Sequence, residues 1–402
     1  MSSRFKYTIV GASTCLMVLL LVGSVLGQSS NPDDTFKHIG VFSEVVSYIK
    51  DQYVEEPDMK SVTLGALNGL LEAVDPFASY LNADQYRDYV RNKDLKRADV
   101  GLILSKKFGY LGVVDAVPGS PADKAGFETG DMIESIKGIS TRDMPLAYAA
   151  IILQGEPNTT VDLSVVRVRR PEPQTVTLMR ANPAMPPVES RMLANRVGYV
   201  QVGALSPAQL KDTAAAIEKL KKDGAVKLVV DLRHCALGTP EDGIALANMF
   251  LDKGLITYVK GQRYPQQDIQ ADPAKAITTL PVAFLTNHGT AGGAEIASAA
   301  IQDSKRGSLI GDRTYGDAAI RKPIATEDGG AIILSVAKYY TPGGKAIQDS
   351  TVVPQYLVAD QEPAVDYDDN GEPISAPTAP QAQPKKLEDD PVLKKALEVL
   401  GQ

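Results

Sequence analysis

Between residues 197 and 336, short apolar runs of β character alternate with segments whose apolar residues recur at helical spacing, and this restricts the fold more than any other feature. The runs at 197–202, 227–232, 282–285, 308–310 and 331–336 read as strands, and 207–221, 242–250 and 294–301 as helices. Alternating strands and helices bury their apolar faces best when helices lie on a central sheet, so an α/β layer domain is expected here. Residues 99–180 have a different texture. Short β-rich runs at 102–104, 110–114 and 161–167 are separated by Gly, Pro and Asp turns, which predicts a compact, mostly β module.

Upstream, Ile39, Phe42, Val45, Val46 and Ile49 follow helical spacing, and a second helical pattern covers 62–74. This reads as a small helical preface, ended at Asp75-Pro76 because the residue before proline is pushed out of the helical region. After Pro354 the chain turns to Asp, Glu, Pro, Ala and Gln, the composition of a solvated tail. Residues 390–400 close it with a short amphipathic helix whose apolar residues are Val392, Leu393, Leu397 and Leu400.

With 402 residues, 44% of them hydrophobic, the chain has material for two domains with real cores. A formal net charge of -7 and the lack of long Lys/Arg runs leave no basic face for nucleic acid, which is excluded as a partner. Cys15 and Cys235 provide no disulfide framework, and His38, His234 and His288 are too scattered for a metal site; no cofactor is expected. Arg4 and Lys6 precede an uncharged apolar run over 7–26, which reads as an export signal. At ~1.5 Å per residue the run just crosses a ~30 Å hydrocarbon core. That favours a single-pass cell-membrane anchor with the body outside the cytoplasm, in the periplasm or envelope. Small residues at 24–27 leave a cleaved signal as the alternative.

Gly119-Ser120-Pro121-Ala122-Asp123-Lys124-Ala125-Gly126, then Gly130-Asp131-Met132-Ile133 and Ile136-Lys137-Gly138, resemble the core signature of a PDZ domain. In such a domain, backbone amides before a strand capture a peptide's terminal carboxylate while the peptide joins the sheet edge. The resemblance assigns that role to Gly101, Leu102, Ile103 and Leu104, with glycine at 101 permitting the turn.

A broader resemblance runs from the preface to about Val353. Phe77-Ala78-Ser79-Tyr80-Leu81, Val229-Val230-Asp231-Leu232-Arg233, Gly311-Asp312-Arg313-Thr314-Tyr315-Gly316 and Tyr339-Tyr340-Thr341-Pro342-Gly343-Gly344 occur in that order. Together they resemble the carboxyl-terminal processing (tail-specific) serine protease family. The fold implied is multidomain, α+β and α/β: a β-rich PDZ domain and an α/β protease-fold domain with a central sheet, preceded by a small helical segment. The implied boundaries are an N-terminal signal or anchor at 1–30, helical preface 31–95, PDZ domain 96–182, protease-fold domain with a crotonase-like core 183–358, and acidic Pro-rich tail 359–402.

The family cleaves with a serine nucleophile and a lysine base, assisted by a glutamine. By the resemblance, the serine position falls on Gly292, in Thr290-Ala291-Gly292-Gly293-Ala294 before Glu295-Ile296. The lysine position falls on Asp317 and the glutamine position on Arg321. None of the three can perform its assigned step. The oxyanion turn is eroded to His234-Cys235-Ala236-Leu237-Gly238, leaving Gly238 and Gly293 as remnants, and paired glycines at 292 and 293 predict a loosened turn.

The expectation is therefore a binding pseudoprotease whose partners are C-terminal segments of exported proteins, an active protease relative, and the membrane through the N-terminal segment. The alternatives are a serine-type endopeptidase with relocated groups, the fallback set being Thr290, Ser298 and Lys305, and a structural or oligomerising envelope protein. Asp317 and Arg321 are expected to form a solvated ion pair, the alternative being that they bind a peptide's polar groups in the former cleft, and Cys235 to be a small buried thiol.

Overall fold

Proline at the first helical turn and a hydroxyl just before it start two helices of the alternating half at or just before the point where their periodicity begins. Ser206 caps one, with Pro207 following; Thr239 caps the next in a reciprocal capping box with Asp242, with Pro240 following. The computed structural model describes residues 32–359 and 390–401, except 94, 96, 108, 143, 168, 169, 183 and 184.

The chain divides into two units, Met1–Gly65 and Ala66–Gln402. The first contains α1 (Pro32–Gln52), whose Ile39, Phe42, Val45 and Tyr48 are exposed. Helix α2 (Met59–Glu72) crosses the division.

In the second unit, β1 (Ser79–Leu81) and α3 (Ala83–Asn92) precede the β-rich module. That module comprises β2 (Leu102–Lys107), β3 (Tyr110–Ala116), α4 (Pro121–Lys124), β4 (Met132–Ile136), β5 (Ile139–Ser140), α5 (Leu146–Leu153), β6 (Thr160–Arg167) and β7 (Arg170–Met179). Its sheet has the order β2-β3-β4-β6-β7, with β5 beside β4, so β2 is an edge strand. Leu111, Ile133, Ile136 and Leu163 fill its own core against Ala149 and Leu153 of α5.

The alternating half contains β8 (Glu189–Met192), β9 (Val197–Gln201), α6 (Pro207–Lys222), β10 (Lys227–Asp231), α7 (Pro240–Asn248), β11 (Leu255–Lys260), β12 (Gln267–Gln270), β13 (Val282–Thr286) and α8 (Gly293–Asp303). Then follow β14 (Gly307–Gly311), β15 (Ala319–Ala325), β16 (Ala331–Tyr340), α9 (Ile347–Ser350), β17 (Tyr356–Leu357) and α10 (Pro391–Gly401). Strands β17-β14-β13-β10-β9 are parallel, with β8 antiparallel at the edge.

Successive side chains of a strand face opposite sides, so each apolar run feeds two cores. Val200, Val230 and Phe284 pack with Leu210, Ile217 and Leu220 of α6 and with α7 and α8. Tyr199, Val229, Ala283, Leu285 and Ile310 face the other way and are covered by Val392, Leu393 and Ala396 of α10. The terminal helix therefore closes the second face of the sheet.

Two expectations change here. The preface is not purely helical: Ser79, Tyr80 and Leu81 are buried and pair antiparallel with Ile333, Ile332 and Ala331 of β16, a strand too short to be read by period. The single-pass anchor is corrected as well. Among the described residues no helix is long and apolar enough to cross a membrane, and the apolar run over 7–26 lies outside the described residues.

Candidate functional site

Neighbouring parallel strands β14, β13 and β10 end at the same edge of the sheet, and ligands of open α/β sheets gather outside such carboxyl ends. Three loops converge there: His234 to Gly238 after β10, Asn287 to Gly292 after β13, and Asp312 to Asp317 after β14. Backbone bonds stitch them together. Ala291 N–H donates to the Cys235 carbonyl at 3.1 Å, and Tyr315 N–H to the Thr290 carbonyl at 3.0 Å.

Gly292 is the N-cap of α8, with φ 61° and ψ -120°, a left-handed strand-to-helix turn that is strained for any side chain. A Cβ built there has two neighbours within 4 Å, the Asp317 carbonyl oxygen at 3.7 Å and the Gly238 carbonyl oxygen at 3.8 Å. Positions 292 and 317 thus lie side by side. Both of these non-neighbouring atoms are hydrogen-bond acceptors.

The expected looseness of this turn is corrected by Glu295, a residue the sequence reading did not single out. Its fully buried carboxylate accepts from Gly292 N–H (3.0 Å), Gly316 N–H (2.7 Å), Asp317 N–H (2.7 Å) and Thr314 Oγ1 (2.5 Å). One side chain therefore ties the helix start to the 314–317 loop. The available signal was a glutamate three residues after the cap, the capping-box position. Burial pushes the Glu295 carboxyl up to about 7 despite those donors. The folded state then holds this proton between its unfolded value of 4.5 and about 7, so Glu295 contributes stability below 4.5 that is lost as pH rises through 7. We expect about 3 kcal/mol of stability to be lost across that window. Urea denaturation at stepped pH should show this slope in the natural chain and a much flatter one in Glu295→Gln; equal slopes would reject the assignment.

Asp317 accepts from Arg321 Nη2 at 2.5 Å. The pair is less solvated than expected, because the Arg321 guanidinium lies over the Phe77 ring, 4.1 Å from its centroid, and its side chain is 24% exposed. Asp75, before Phe77, accepts from Ser335 N–H and from Gln348 Nε2, both at 3.1 Å, which holds that segment against β16 and α9. The fallback residues do not come together. Thr290 and Ser298 are fully buried and donate to the carbonyls of Leu232 and Ala294. Lys305 is exposed beyond the far end of α8, an 11-residue helix about 16 Å long. Cys235 is buried, which pushes its thiol pKa up. The adjacent His234 points elsewhere and meets Asp115 of β3 through Nδ1 at 3.1 Å.

The β-rich module reaches this edge at a second point, where the Tyr315 hydroxyl lies near Ser105 of β2; burial pushes the Tyr315 hydroxyl up to about 12. Gly101, Leu102 and Ile103 line a cavity of about 680 Å³ that also reaches Leu237 of the 234–238 turn, while Leu104 packs on the core of the module.

Residues 196–358 match the profile of peptidase family S41, and residues 112–167 that of the PDZ domain. A carboxyl-terminal-processing protease of Synechocystis sp. is 30% identical over 357 residues, spanning 87% of this chain and 82% of that protein. The chain belongs to the carboxyl-terminal processing protease family. The carboxy-terminal processing protease CtpA of Bacillus subtilis is 29% identical over 352 residues, spanning 87% of this chain and 74% of its own. Among solved structures, a photosystem II D1 C-terminal processing protease superposes with a TM-score of 0.65 at 26% identity, covering 79% of this chain and 86% of that one. In this family member, the β-rich module is the PDZ domain and the alternating half is the S41 domain.

Proposed function

We propose that this family member is a pseudoprotease, which holds C-terminal segments of other proteins in its PDZ groove without cutting them. It shields them or presents them to an active relative. In this reading residues 96–182 are the binding module and 183–358 the silent protease domain. The observation that carries it is Gly292: a residue without a nucleophile, faced by two carbonyl oxygens, beside an Asp317 held by Arg321. A carboxylate paired with a guanidinium is no substitute for a neutral amine next to a hydroxyl.

The test uses the full chain, an unfolded reporter protein with an apolar C-terminus, and a fluorescent peptide of the same terminus. We expect no cleavage, no labelling by a serine-reactive fluorophosphonate, and saturable peptide binding by anisotropy. Turnover that survives purification and the Gly292→Ala change would make this an enzyme of another design.

A further inference from the structure

The backbone of the groove is built for strand addition, but its anion seat is already in use. Gly101 has φ 80°, and a Cβ there would lie 2.2 Å from Ser120 Cβ, so the turn before β2 requires glycine. Its amide, one of those assigned to a ligand's terminal carboxylate, donates instead to Asp99 Oδ1 at 2.6 Å. Asp99 cannot drift from this place as a whole. Its N–H donates to the Ala181 carbonyl and its carbonyl accepts from Ala181 N–H, both at 2.9 Å. Asp99 lines the same cavity as Gly101, Leu102 and Ile103.

We propose that Asp99 closes the terminal-carboxylate subsite, so that the groove takes extended apolar segments along β2 without requiring a free C-terminus. This rests on the peptide-binding reading above and narrows it: a segment near a C-terminus is held through its extended apolar stretch, not through its terminal carboxylate. A terminal carboxylate entering here must displace a charge-assisted hydrogen bond and settle beside a second carboxylate. The cations of the wall offset this weakly. Arg97 is engaged by Asn92 Oδ1 at 3.0 Å and lies 3.9 Å from Glu156, and Lys124 is exposed, where water and salt screen it. A neutral segment that continues past the subsite meets neither penalty. The edge of β2 opposite β3 has no strand partner among the described residues and offers its backbone groups to such a segment.

The experiment measures the affinity of one apolar peptide in two forms, free acid and C-terminal amide, for the full chain and for Asp99→Gly and Asp99→Asn. For the natural chain we expect the two forms to bind within about threefold of each other. Asp99→Gly should bind the acid at least about tenfold more tightly than the natural chain does, with the amide unchanged, and Asp99→Asn should fall between. An unchanged urea midpoint for the variants would exclude a folding artefact. A tenfold preference of the natural chain for the free acid, or no gain in Asp99→Gly, overturns the role of Asp99 and leaves peptide binding standing. Absence of binding by any form to any variant overturns peptide binding itself, and the Asp99 proposal with it.

Discussion

A chain carrying Gly292→Ser, Asp317→Lys and Arg321→Gln together is expected to cleave an unfolded protein about 10³-fold faster than the natural chain, whose rate should equal the uncatalysed background. The geometry for this gain is present. Glu295 binds the amides of both Gly292 and Asp317, so the two positions stay adjacent whatever side chains they carry. The left-handed turn at 292 is the strained strand-to-helix conformation that exposes a nucleophile, and a Cβ meets nothing there closer than 3.7 Å. A lysine at 317, freed of Arg321, would place an amine beside position 292 to serve as base. The gain should stop short of the family's full rate, because three substitutions restore the nucleophile, base and assisting group but leave the 234–238 turn as it is. Gly292→Ser alone should recover nothing, since Asp317 is held by Arg321. Cleavage assays with fluorophosphonate labelling of position 292 decide the matter. A folded triple variant that neither labels nor cleaves would break the link between these three positions and catalysis.

Ending the chain at residue 389 should cost more than about 5 kcal/mol, enough to leave most molecules unfolded or aggregated. Val392, Leu393 and Ala396 are at most 2% exposed, and their removal bares the face formed by Tyr199, Val229, Ala283, Leu285 and Ile310. The start of α10 adds polar ties. Asp390 accepts from Val392 N–H at 2.9 Å and Leu393 N–H at 3.1 Å, and from Arg233 Nη2 at 2.7 Å, while Arg233 also pairs with the fully buried Asp231. Asp390→Ala should therefore cost about 1–3 kcal/mol, through a lost cap and a largely buried guanidinium deprived of one partner. Thermal and urea denaturation, with a dye for exposed apolar surface, would measure both. Truncation without loss of stability would mean the sheet face is covered some other way.

Much of the fold could be read before any coordinates, for reasons that are local. Apolar periods of two and 3.6 residues are written in consecutive positions, so α6 and β10 begin where the pattern does. Helix caps at Ser206 and Thr239 and the breaker at Asp75-Pro76 are likewise decided within a few residues. That position 292 offers no nucleophile of its own is also a local fact: glycine has none in any fold. A period tells which face is apolar but not what will cover it, and an acidic side chain does not announce its partner. That α10 closes the sheet across a tail of some thirty residues, that three buried residues of the preface pair with β16, and that Glu295 is buried and holds positions 292 and 317 together emerge only when distant segments meet. The same is true of Asp99. Its neighbour two residues on was legible as a turn glycine, but only folding, which pins Asp99 to Ala181, puts its carboxylate on that glycine's amide.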